Sequence, residues 1–154
     1  MGVGQHLSSA RLLVFTFSIA AAPLTWAESA SSKPEANEPR VHYMLHCQGC
    51  HLHNGAGSLG GEVPEMKDYV GNFLKVPEGR EYLVRVPGSA NAPLADEELA
   101  NLLNWVLLTI AGESTPMGFT PYTGEEVGLL RAKSLTNVVA LRSSLVKKFN
   151  KTSN

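Results

Sequence analysis

Both cysteines of the chain fall within five residues, Cys47-Gln-Gly-Cys50-His51, and a histidine directly follows the second of them. Residues three and four apart share one face of a helix, so a single turn brings both thiols and the imidazole to the same side. The stretch 54–64 that comes next holds Gly55, Gly57, Gly60, Gly61 and Pro64 and cannot sustain a helix. That loop must wrap something. Two cysteines this close cannot staple a small fold, so the rest of the 154 residues must supply an ordinary core. With 44% hydrophobic and 18% charged residues there is enough for one compact domain and too little for two. A formal net charge of -1 removes the general electrostatic reason for binding nucleic acid.

The C-x-x-C-H spacing has one reading that uses all three side chains. Cys47 can bond one vinyl group of a haem and Cys50 the other, while His51 aims its imidazole at the iron, giving one covalent haem c. Three rivals use less of the pattern. A thioredoxin-type redox pair wants a βαβ surround that the chain lacks. A zinc site drawing on Cys47, Cys50, His51 and either His46 or His53 wants a second ligand cluster elsewhere. A plain disulfide is strained at this spacing and explains neither His51 nor the loop.

The N-terminus carries Arg11, the apolar stretch Leu12–Ala22, Pro23, and small residues at Thr25 and Ala27 ahead of the first acid, Glu28. That is the pattern of a secretory signal peptide over residues 1–27, cleaved after Ala27. Its apolar part spans only about 16 Å as a helix, and no apolar run of the chain reaches the roughly 18 residues of a membrane span, so stable insertion after cleavage is not expected. The mature chain keeps 12 basic and 14 acidic side chains. Residues 28–39 are polar, small and proline-punctuated, a disordered lead-in.

From about Arg40 the pattern is helical, with no repeat and no strand periodicity. Val41 to His51 can form a short helix with Val41, Met44 and Leu45 on one side. Tyr69, Val70, Phe73 and Leu74 mark a short middle helix ending at Pro77, and Arg80 to Val86 a further turn or an extended segment. The clearest helix runs from about Ala95 to Ala111, with Leu99, Leu102, Leu103, Val106, Leu107 and Ile110 in one stripe. Asp96, Glu97 and Glu98 suit its dipole and Gly112 ends it. Thr123-Gly-Glu-Glu126 fits a capping box for a helix to about Ala132, and a last helix over about 137–149 buries Val138, Leu141, Leu145 and Phe149. From residue 127 onward there are six basic residues and no acidic one. The expected fold is all-α, with a haem domain over 40–111 and a helical extension, 112–154, packed on the same domain.

On these motifs the chain resembles the small, single-haem, class I type bacterial cytochromes c. The resemblance rests on Cys47 to His51, on the glycine-rich loop reaching Pro64, and on Pro93 to Leu107 as the acidic-capped helix that closes such folds. It implies that the Pro64 carbonyl receives the N–H of the iron-binding histidine and that electrons are exchanged with redox protein partners, identity unread, in the periplasm. It also exposes a departure. Where many such proteins place a ligating methionine before the closing helix, this chain reads Arg85-Val86-Pro87-Gly88. Met44 is placed on the histidine side, Met66 in the apolar slot beneath the ring, and Met117 in a loop past the closing helix, the one methionine with the reach to come over the top. The expectation is a weak or vacant second axial position.

Trp105, Tyr69, Phe73 and Tyr82 read as core or haem-edge packing, and His42, His46 and His53 as surface histidines. The basic C-terminal helix reads as a solvated face, or else a docking patch for an acidic redox partner. The chain shows no nucleophile–base pair, phosphate loop or dinucleotide fingerprint, so an electron carrier rather than an enzyme is expected. The alternatives are an open-site haem protein that binds or senses a small gas ligand, suggested by the missing methionine, and a subunit of a larger oxidoreductase, suggested by the extra helices.

Overall fold

The computed structural model describes residues 1–2 and 38–152. The chain divides into two compact units, Met1–Lys33 and Pro34–Asn154. Apart from residues 1–2, the signal-peptide reading of residues 1–27 lies outside the described residues, as does the lead-in expected over 28–39 except for its last two residues, Glu38 and Pro39, which are helical rather than disordered. No strand is present among those described, and none of their helices is long and apolar enough to cross a membrane.

Helix α1 (Glu38–His46) begins three residues before the expected start at Val41, with Pro39 in the first turn, where a missing N–H costs nothing. The helix expected to continue through the cysteines breaks at Cys47, and a single turn, α2 (Gln48–His51), carries the motif. The buried face of α1 also differs from the apolar side read in the sequence. Tyr43 is 1% exposed, whereas Val41, Met44 and Leu45 are exposed. Tyr43 wins because it satisfies both ends: its ring packs 5.5 Å from Trp105 and its hydroxyl donates to the Leu52 carbonyl at 2.7 Å.

After the glycine loop, a six-residue 3-10 turn (Val70–Lys75) replaces the expected middle helix, and α3 (Gly79–Arg85) is helical where an extended segment was the other option. A side chain at Gly79 would collide with the Phe73 carbonyl, so only glycine lets α3 start against that turn. A short α4 (Pro87–Ala90) leads to α5 (Asp96–Thr109). Helix α5 follows its stripe: Leu99, Leu102, Val106, Leu107 and Ile110 are buried, and Leu103 is half-buried. The Glu98 carboxylate accepts the Ala95 N–H at 2.6 Å at its start.

The last two helices, α6 (Gly124–Arg131) and α7 (Val138–Thr152), belong to the same compact unit. Helix α6 packs on α5 and α3, and α7 packs on the 3-10 turn, where Phe149 joins Phe73 and Tyr69 edge-on. Only half of the capping box at α6 forms. Thr123 Oγ1 accepts the Glu126 N–H at 3.2 Å, but the Glu126 carboxylate is taken by Arg80, with nitrogen–oxygen distances of 2.6 and 2.7 Å. A bidentate guanidinium outcompetes a single backbone N–H.

Beside an ion pair of Lys148 with Glu78 at 2.5 Å, arginines carry the rest of the polar connection between the C-terminal helices and the residues before α5. Arg80 also donates to the Thr120 and Pro121 carbonyls and lies 4.1 Å from the centroid of the Tyr122 ring. Arg85 donates to the Lys133 carbonyl at 2.8 Å while its own carbonyl accepts the Leu135 N–H. Arg131 spreads over one segment, donating to the carbonyls of Ala90 at 3.1 Å, Ala92 at 2.6 Å and Leu94 at 2.7 Å, and to Asp96 Oδ1 at 3.1 Å. Residues 112–154 thus brace the end of α3 and the stretch from Ala90, the last residue of α4, to Asp96 at the start of α5.

Candidate cofactor site

The turn at Cys47 is closed by the His51 N–H donating to the Cys47 carbonyl at 2.9 Å, so the cysteines and histidine do share one turn. Both thiols are free; Cys47 is half-buried and Cys50 exposed. Burial, then the neighbouring Cys50, pushes the Cys47 thiol up to about 11, so it is not an activated redox cysteine at neutral pH. This argues against the thioredoxin reading, and against the zinc reading stands the geometry: among the described residues no three of Cys47, Cys50, His51, His46 and His53 gather their ligand atoms within 4.8 Å of one another.

His51 is oriented by the loop. Its Nδ1 stands 3.2 Å from the Pro64 carbonyl oxygen. A carbonyl can only accept, so Nδ1 carries the hydrogen and Nε2 keeps its lone pair free. Burial lowers the proton affinity of the ring, partly offset by the bond to Pro64, and keeps the imidazole neutral, the form that binds iron. The loop makes this bond by turning back on itself. Gly57, at φ +72°, donates its N–H to the His51 carbonyl, and a side chain there would strike the Val63 carbonyl.

Cys47, Cys50, His51 and Pro64 all line one cavity of about 390 Å³, within the range of small-molecule pockets. Its walls are mostly carbon: Met66 and Val70 after the loop, Leu83 and Val86 from α3 and its end, Leu99, Leu102, Leu103 and Val106 from α5, and Val138 from α7. Arg142 of α7 also lines it. Two thiols, a neutral imidazole with a free nitrogen, an apolar slot and one guanidinium match the vinyl groups, iron, porphyrin face and propionates of a haem, so the residues present fit that group. Fold and site together define a c-type cytochrome.

No protein-family model matches the chain. Two relatives are both cytochrome c-552 of Thermus thermophilus, one of them from a particular strain of that species. Each is 37% identical to this chain over a match covering 64% of it, and 90% and 80% of the relatives respectively. The chain belongs to the cytochrome c-552 family of small bacterial c-type cytochromes and carries covalently bound haem c.

The remaining sequence expectations meet the structure unevenly. Met66 lines the cavity, Met44 is exposed, and Met117 is fully exposed beside Leu74, Arg80 and Phe119, away from the cavity. Tyr82 stacks on Phe73 at 4.8 Å and both line the cavity, while Trp105 packs on Tyr43. His53 is exposed; His46 is exposed too but lines the cavity. His42 departs from the surface reading: it is half-buried, and its Nδ1 is buried with no hydrogen-bond partner among the described residues. The basic C-terminal helix is a solvated face only in part, with Lys147 and Lys151 exposed but Arg142 lining the cavity, and Arg131 of α6 is likewise turned inward. Neither arginine had a local signal, because their partners lie far away in the chain.

Proposed function

We propose that this cytochrome is a periplasmic shuttle for single electrons, exported by the segment 1–27 and reading as a carrier rather than as an enzyme. The observation that carries the reading is the His51–Pro64 pairing, which leaves a neutral, fixed imidazole nitrogen beside two thiols in an apolar slot. Haem bound there supplies reversible one-electron chemistry at its iron. The chain's own residues hold His51 in one tautomer, keep water off the porphyrin face with Leu83, Leu99 and Val106, and leave the Cys50 edge open at the surface. An exposed edge is where a partner can approach closely enough to exchange an electron.

In this reading residues 40–111 form the haem domain proper and 112–154 an extension that braces it. The partners are redox proteins, and the exposed Lys147 and Lys151 on α7 favour one with an acidic face. Fractionation of producing cells, a haem stain after denaturing electrophoresis, and a potentiometric titration test the reading together. The expected result is a periplasmic chain starting at Glu28, with pigment retained and a reversible one-electron transition. A cytoplasmic, uncleaved product, or a multi-electron transition, would overturn it.

A further inference from the structure

We infer that the iron position opposite His51 has no protein ligand and takes a small neutral diatomic molecule instead. This rests on the haem reading above and concerns the far wall of the same cavity. Among the cavity-lining residues, the side chains able to bind iron besides Cys47, Cys50 and His51 are Glu62 and Glu65, on either side of Pro64 in the histidine loop, Tyr82, stacked on Phe73, and the nitrogen and sulfur donors His46 and Met66. The last two are both tied to the histidine side. His46 directly precedes Cys47 at the end of α1. Met66 lies two residues past Pro64, its N–H donates to the Gly55 carbonyl at 2.7 Å, and it packs in the loop that holds His51.

The segment that would have to deliver a ligand from the other side is 86–95, which reads Val-Pro-Gly-Ser-Ala-Asn-Ala-Pro-Leu-Ala and contains no methionine, histidine, cysteine or lysine. Nor can it swing to admit one from outside. It is knotted by its own turns, with the Ser89 and Ala90 N–H groups on the Val86 carbonyl, Asn91 on Pro87 and Ala92 on Ser89, and it is pinned from outside by Arg131. Val86, Gly88, Ser89 and Ala92 of this segment line the cavity, joined by Leu83 and Val138. Met117, the remaining methionine past α5, is at the surface by Phe119. A wall of short apolar groups and the Ser89 hydroxyl, with no charged residue of either sign in the segment, suits an uncharged ligand of two atoms, because a charged one would lose its hydration without a fixed partner in that segment.

The experiment uses the purified haem-loaded protein with carbon monoxide as probe. The ferrous spectrum is expected to be five-coordinate and high-spin, and carbon monoxide to shift it to a six-coordinate form saturating at one molecule per haem. A six-coordinate low-spin ferrous spectrum that carbon monoxide leaves unchanged overturns the inference, whether or not the ferric protein shows the near-infrared thioether-to-iron band. Met66→Leu and His46→Ala are run beside it. Spectra matching the parent support an open position, while conversion of either from low-spin to high-spin identifies that residue as the ligand and overturns it. Loss of pigment from the denatured parent chain is a different failure, that of the covalent haem reading itself.

Discussion

Replacing Arg131 with alanine tests whether the C-terminal helices hold the wall of the haem cavity. The side chain is only 16% exposed and donates to three backbone carbonyls, those of Ala90, Ala92 and Leu94, plus the half-exposed Asp96. A net intramolecular hydrogen bond contributes about 0.5–1.5 kcal/mol, so losing three at once predicts a loss of about 2–4 kcal/mol. The Asp96 pair, open to water, adds under about 1 kcal/mol. Urea denaturation of the haem-loaded protein, followed by far-ultraviolet circular dichroism, reads the difference as a lower midpoint at unchanged slope. Arg131→Lys keeps the charge but gathers its three N–H donors on one nitrogen where a planar fork reaches three separate carbonyls, and is expected to recover less than half of the loss. An alanine variant within about 0.5 kcal/mol of the parent would refute the bracing role and leave residues 112–154 without a structural task.

Two further outcomes follow from the core and from a buried hydroxyl. Leu99→Ala, at a position 1% exposed on α5, is expected to cost about 2–5 kcal/mol in the same assay, whereas a loss under about 0.5 kcal/mol would mean that the stripe is not packed as described. Burial raises the Tyr122 phenol above its ordinary value, with Arg80 opposing and Glu126 adding to the rise, and its hydroxyl donates to the Arg80 carbonyl at 2.8 Å. The folded state therefore holds this proton more tightly than the unfolded chain. Its contribution is complete below the usual tyrosine pKa of about 10 and is lost as pH rises beyond it. Tyr122→Phe should flatten that alkaline decline in stability, and an unchanged slope would assign it to other groups.

What the sequence made legible follows from how local each interaction is. The Cys47–His51 turn, the Pro64 loop and the α5 stripe are patterns of a few residues or one helical period, and the structure places them together around a single cavity. The buried face of α1 was misjudged because three aliphatic side chains outweigh one tyrosine by periodicity, yet Tyr43 alone has Trp105 and the Leu52 carbonyl waiting for it. Cys47 ends α1 without any helix-breaking residue to mark it. Arg80, Arg85 and Arg131 reach carbonyls more than thirty residues away, a relation that no spacing encodes.

That distance also gives the Arg131 fan a place in time. The turn that presents the cysteines closes over four residues and the His51–Pro64 bond over thirteen, whereas Arg131 meets its carbonyls across 37 to 41. Loop-closure entropy makes the nearer contacts form earlier. The turn that presents Cys47, Cys50 and His51 can therefore be in place while the segment on the opposite side of the crevice, from Ala90 to Leu94, is still unpinned.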